Sequence, residues 1–166
     1  MDLVARDRVE YQFEDAGQNW LISWWPADQV PSGKWHGSGA ICLSESEEIV
    51  IISQDGKQWE LPAGRPEGDE DWRATLDREM LEEACAIVDD ATLLGFAQGR
   101  CISGHEKGLV LVRSYWVARV TIQEWRPEYE VLYRSLVAKN AVMESLDFPA
   151  GLEPIYARWI LEAGIV

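Results

Sequence analysis

Two short apolar runs, Gly39-Ala40-Ile41-Cys42-Leu43 and Glu48-Ile49-Val50-Ile51-Ile52-Ser53, flank the charged turn Ser44 to Glu47 and read as strands of a buried sheet. Ahead of them, Tyr11 to Trp25 alternates loosely between polar and apolar and is rich in Trp. That pattern predicts one or two strands or an N-terminal extension, interrupted by Pro26 and Pro31-Ser32-Gly33. Asp55-Gly56 marks a tight turn into a short strand over Gln58 to Leu61, and Pro62 to Asp69 is loop by composition. From Glu70 to about Ile87 the period becomes helical. Leu76, Met80, Leu81, Ala84, Cys85, Ile87 and Val88 share a broad apolar arc, and Thr75, Glu79, Glu82 and Glu83 fill the rest. Asp69, Glu70 and Asp71 suit the helix N-terminus. Leu93 to Gln98 and Leu109 to Val120 read as an antiparallel pair across the polar loop Ser103 to Gly108. Val131 to Val137 fits strand or helix, and a last helix is expected from about Glu153 to Glu162.

At 166 residues, with 47% hydrophobic and 27% charged, the chain has the size and composition of one globular domain spanning 1–166. Residues 1–34 would be its strand-rich N-terminal extension. That Trp-rich segment could add strands to a second copy, which makes a homodimer an expectation. The net charge of −14 works against nucleic acid and anionic membranes as partners and favours a cation. No 18 apolar residues run together and the opening residues are charged, so a cytoplasmic protein outside the membrane is expected. Cys42, Cys85 and Cys101 have no metal-binding spacing and read as buried thiols, and His36 and His105 are far apart.

Glu79, Glu82 and Glu83 stand at i, i+3 and i+4, so three carboxylates project from neighbouring points of one helix face and repel. A solvated acidic face with Arg78 paired to Glu82 is one reading. The other is an oxygen site for Mg²⁺ or Mn²⁺, hard cations that retain waters a phosphate can displace. The Pro- and Gly-bearing loop just ahead can bend to offer a carbonyl oxygen to the same cation. Between Glu67 and Asp90, ten acidic and two basic residues concentrate −8 of the charge, so the composition points to this helix.

From Gly64 the chain runs five residues, Glu70, seven residues, then Arg78-Glu79-Met80-Leu81-Glu82-Glu83-Ala84-Cys85-Ala86. This resembles the Nudix box, G-x5-E-x7-R-E-U-x-E-E-x-G-U, at Gly64, Glu70, Arg78, Glu79, Glu82 and Glu83; Trp59 to Gly64 resembles the strand and loop that enter it. Cys85 replaces the last box glycine and Ala86 its final bulky residue. Either Cys85 takes a left-handed conformation at about 1–2 kcal/mol or the helix runs on a further turn.

The resemblance implies an α+β Nudix fold, an α/β/α sandwich with a mixed central sheet. It implies a metal-dependent nucleotide diphosphatase, MutT-like, that cleaves a nucleoside diphosphate derivative or triphosphate and releases a nucleoside monophosphate. The alternative is a catalytically weak Nudix-fold nucleotide-binding or regulatory protein. Glu79, Glu82 and Glu83, with the Ala63 carbonyl and a later acid, would hold Mg²⁺ or Mn²⁺. Glu130 is the matched later acid, with Glu124 and Glu128 as rivals. Arg78 would orient the glutamates, and Gly64 and Glu70 would shape the loop. Glu82, Glu79, Glu130 and Glu106, in that order, are candidates for the general base. The segment Leu146 to Ile155 is similar to the one leading into the last helix of MutT-type members, so Phe148 and Leu152 would lie beside the substrate. Leu152 stands where those members read the base with an asparagine, so strong 8-oxoguanine selectivity is not expected.

Overall fold

A computed structural model describes residues 3–165. Strands β1 (Glu10–Asp15) and β2 (Gln18–Pro26) form a hairpin whose two turn residues, Ala16 and Gly17, both take positive φ (50° and 76°), the twist that suits a two-residue connection. The remaining strands are β3 (Lys34–Leu43), β4 (Ile49–Ser53), the two-residue β5 (Ala63–Gly64), β6 (Ala86–Ser103), β7 (Val110–Ile122) and β8 (Tyr133–Val137). They make one sheet ordered β1-β2-β6-β7-β3-β4-β8, with β5 paired to β3. β3 and β7 run parallel and every other named pair antiparallel, so the sheet is mixed.

Helix α1 (Trp72–Ala84) covers one face, where Leu76, Met80 and Ala84 pack with Ala40, Cys42, Val50, Ile52 and Val120. On the other face α3 (Glu153–Glu162), preceded by the single turn α2 (Val142–Ser145), sets Ile155, Trp159 and Ile160 among Trp24, Ile41, Leu43 and Tyr115. This is the expected α/β/α sandwich of the Nudix fold. Among the described residues no helix is long and apolar enough to cross a membrane.

Several boundaries differ from the sequence reading. The Trp-rich segment supplies the expected strands as β1 and β2 of the main sheet, where β2 pairs with β6 from Asn19↔Ser103 to Pro26↔Gly95 and Trp24 packs into this chain's own core. Strand β6 begins at Ala86, well before Leu93, because register shifts at Val88/Asp90 and Leu93/Gly95 let an acid-bearing stretch continue the ladder. Ile87 and Val88 therefore belong to a strand. Leu81, assigned to the apolar arc, is 52% exposed. Thr75, grouped with the acids, is buried, and its hydroxyl donates to the Asp71 carbonyl (3.0 Å). Gln58 to Leu61 contributes only the bridge Ile52↔Glu60, whereas β5 lies in the segment read as loop. Val131 to Val137 resolves as strand β8 from Tyr133.

Candidate functional site

The site is built where β5 leaves the sheet. Ser38↔Gly64 and Gly39↔Ala63 pair β5 with β3, and the approach is close. A Cβ on Gly37 would overlap the Gly64 carbonyl oxygen, and one on Gly64 would overlap the Glu79 carboxyl group. Two glycines thus let strand, loop and helix meet without side chains between them. The loop then delivers Asp71 as N-cap of α1, its Oδ1 accepting from the Ala74 amide (2.8 Å). At the other end Cys85 adopts the left-handed conformation (φ 48°, ψ 49°), its amide donating to the carbonyls of Leu81 and Met80. Of the two possibilities at this position, the helix stops and Cys85 carries the strain.

Arg78 is the hub of the loop–helix unit. Its Nε donates to Glu70 Oε2 (2.8 Å), Nη2 to Glu70 Oε1 (3.0 Å) and to the Arg65 carbonyl (2.7 Å). Its Nη1 donates to Glu79 Oε1 (2.8 Å) and Glu82 Oε2 (3.1 Å). Glu70 is thereby fixed against the helix and its carboxyl held down at about 2, chiefly by the Arg78 hydrogen bonds. One guanidinium offsets part of the repulsion among the acids, and the hydrogen bonds and charges of Glu70 and Glu79 keep Arg78 charged against the opposing effect of burial.

Glu83 has no such partner. Its Oε1 is buried without a hydrogen bond, and its carboxyl is pushed up to about 9, first by burial, then by the charges of Glu79 and Glu60. At neutral pH a proton therefore neutralises this carboxyl among the other acids, a role that a bound cation would take over.

Ala63, Gly64, Glu79, Glu82, Glu83 and Glu130 all line one open cavity of about 640 Å³, together with Glu60 and Glu67. Among the described residues, no three His, Cys, Asp or Glu side chains close on one ion-sized point. Glu124 and Glu128 lie instead in a neighbouring depression behind Glu82, beside Cys85 and Arg126. Glu106 is not in the acid cavity: it faces β2, where its Oε1 accepts from Gln18 Nε2 (2.8 Å), which removes it from the candidate bases. Phe148 lines an adjoining cavity with Trp59, Asp147 and Asp15 and stacks on Tyr156 (4.4 Å between centroids). Leu152 packs against the α3-side core.

Glu60 escaped the sequence reading. It borders both the acid cavity and the Phe148 cavity, and its carboxyl is raised by desolvation against the pull of Arg113. Between Trp59 and Leu61 it reads as the polar member of a strand alternation, and no local signal distinguishes it from a solvent-facing residue.

A family model for the NUDIX domain matches residues 33–133. The chain belongs to the Nudix hydrolase family. Over 86 residues it is 33% identical to the 8-oxo-dGDP phosphatase NUDT18 of Mus musculus, a match over 49% of this chain and 24% of that protein. The chain thus spans about a quarter of that relative's length. Among solved structures, the Bacillus subtilis pyrophosphohydrolase BsRppH superposes with a TM-score of 0.67 at 20% identity, covering 93% of this chain and 98% of that one. The MutT protein of Methanosarcina mazei Go1 follows with a TM-score of 0.54 at 17% identity, covering 80% and 98%. These structural likenesses are of fold.

Proposed function

We propose that this Nudix protein is a metal-dependent hydrolase that cleaves the diphosphate linkage of a nucleoside diphosphate derivative or triphosphate and releases a nucleoside monophosphate. The observation that carries the reading is the orphaned, buried Glu83 Oε1 in a cavity shared with Glu79, Glu82 and Glu130. Hard oxygen donors of this kind fit Mg²⁺ or Mn²⁺. Glu79, Glu82, Glu83, the Ala63 carbonyl and Glu130 would hold the ion. When bound, it supplies neutralisation of charge developing on the transferred phosphoryl group and lowers the pKa of an attacking water.

The chain's own residues do the rest. Arg78 fixes the rotamers of Glu79 and Glu82 and, through the Arg65 carbonyl, the loop beside them. Glu70 keeps that guanidinium in place. Glu82 is the first choice as the base that takes the water's proton, with Glu79 and Glu130 after it, and Glu60 lines the same cavity. The adjoining cavity with Trp59, Asp147 and Phe148 would receive the part of the nucleotide that lies away from the acids. Leu152, partly buried against the core, offers no hydrogen bond for reading a base. Cytoplasmic action fits three buried, unpaired thiols.

A nucleotide panel incubated with Mg²⁺ or Mn²⁺, with products resolved by phosphorus NMR, tests the reading. A nucleoside monophosphate plus the remaining phosphate-bearing fragment is expected. Tight nucleotide binding with no turnover on any member, unchanged in Glu82→Gln, would instead establish the binding protein.

A further inference from the structure

In a chain of net charge −14, basic residues gather near one end of β3, beside the loop–helix unit. The consecutive strands β5, β3 and β7 bring them together: Ser38 pairs with Gly64, Gly37 with Arg113, and Lys34 with Leu111. This sets Arg65, Lys34, His36 and Arg113 around one end of β3. Arg113 and His36 line a cavity of about 140 Å³ on the α3 side of the sheet, walled by Phe13, Trp20, Ile22 and Leu111. Arg65 lines the acid cavity next door, with its carbonyl anchored by Arg78. Asp15 borders both the first cavity and the one holding Phe148, and Glu60 borders both that one and the acid cavity.

Arg113 is half-buried and, among the described residues, makes no side-chain hydrogen bond or ion pair. Other arginines of this protein find carboxylates, as Arg73 does with Asp77, Arg100 with Glu10, and Arg158 with Asp7 and Glu162. Asp15 lines the same cavity and the charge of Arg113 reaches Glu60, but among the described residues no carboxylate pairs with this guanidinium, which leaves it available to an anion. The imidazole of His36 is held neutral, down to about 4, by burial and then by Arg113, Arg65 and Lys34, against an opposing pull from Glu106. The exposed Asp15 is the other acid at this cavity.

We propose that Lys34, His36, Arg65 and Arg113 form a phosphate subsite beside the acid cavity, which binds a phosphate group of the substrate other than those bridged at the acids. Resting on the hydrolase reading for the substrate's identity, this makes nucleoside triphosphates and longer polyphosphates preferred over nucleotides whose diphosphate ends in a neutral group. Arg113 is the specificity-determining residue: its fork can grip phosphate oxygens bidentately, and the neutral His36 can donate one further hydrogen bond.

The test has two arms. In the first, the His36 imidazole of the full chain is titrated by NMR without divalent cation, with and without inorganic tripolyphosphate, using the exposed His105 as reference. Tripolyphosphate is expected to raise the His36 midpoint, and this anion-dependent rise should vanish in Arg113→Met and persist in Arg113→Lys. In the second, steady-state kinetics compare a nucleoside triphosphate with a nucleoside diphosphate sugar. Arg113→Met should raise KM for the triphosphate by about tenfold or more, the loss of one charged hydrogen-bonding partner, with kcat and the sugar nucleotide's KM nearly unchanged. An unmoved His36 midpoint, or equal KM changes for both substrates, overturns the proposal. If the wild type turns over no nucleotide, the hydrolase reading falls while the titration still decides the subsite.

Discussion

Replacing Gly64 by Ala adds one methyl group, and its consequence can be worked out from the geometry. Gly64 does not have positive φ, so alanine fits its backbone without strain. The added Cβ would overlap the Cδ, Oε1 and Cγ atoms of Glu79, closer than the 3.0 Å that real Cβ atoms essentially always keep from heavy atoms of residues beyond their chain neighbours. The Glu79 carboxyl must therefore move by about 1 Å or more, a misplacement that costs on the order of 100-fold in rate at a catalytic centre. It also leaves its hydrogen bond to Arg78 Nη1, now 2.8 Å. A charged hydrogen bond contributes about 1.5–3 kcal/mol, partly offset by about 0.4–1 kcal/mol from the stiffer unfolded chain. The net loss of stability is about 1–2 kcal/mol, a fall in Tm of roughly 2–8 °C at this chain length. Nucleotide hydrolysis and thermal denaturation read the two effects. Because the damage passes through Glu79, Gly64→Ala should add little further loss of activity to Glu79→Gln. Full activity in Gly64→Ala, or additive losses in the double variant, would refute the reasoning.

Two other outcomes follow from single residues. Cys85 occupies a left-handed helix cap, so Cys85→Gly should be neutral to mildly stabilising, whereas the β-branched Cys85→Val should destabilise by about 2 kcal/mol or more in denaturant titrations; the reverse order would mean the helix does not stop there. His36 is neutral in the fold and protonates near 6.5 when unfolded, so its depressed value favours the fold above pH 6.5 and that contribution is lost as pH falls from there to about 4. His36→Gln should flatten this part of the stability–pH curve; an identical acid loss in both proteins would show that His36 does not cause it.

The loop–helix unit was legible in the sequence because its chemistry is local: Arg78, Glu79, Glu82 and Glu83 lie on one helix face, and Gly64 and Glu70 stand at fixed distances before it. The last helix was legible from its own period. What the sequence hid depends on strands far apart along the chain. Glu60 and Arg113 each look like the polar member of an alternating strand; the bridge from Glu60 to Ile52 of β4 sets the first beside the acids, and the pairing of β3 with β7 sets the second beside His36. The length of β6 was hidden by bulges that carry Asp89 and Asp90 through a strand where polar pairs read as a break. Thr75 was misplaced because a small side chain that hydrogen-bonds to its own helix can sit in a core. Leu81 was misplaced because the apolar arc is wider than the surface the sheet covers.

The central claim is that the acid cavity binds a divalent cation through Glu83 and uses it to hydrolyse nucleotides. Its most direct test is turnover against Mg²⁺ or Mn²⁺ concentration for wild type and Glu83→Gln, with calorimetric binding of Mn²⁺ to each. The account predicts that a chelator abolishes wild-type turnover, that added cation restores it, and that Glu83→Gln loses at least about 100-fold in rate together with cation affinity. Chelator-resistant turnover, or cation binding and rate left intact in folded Glu83→Gln, would contradict it.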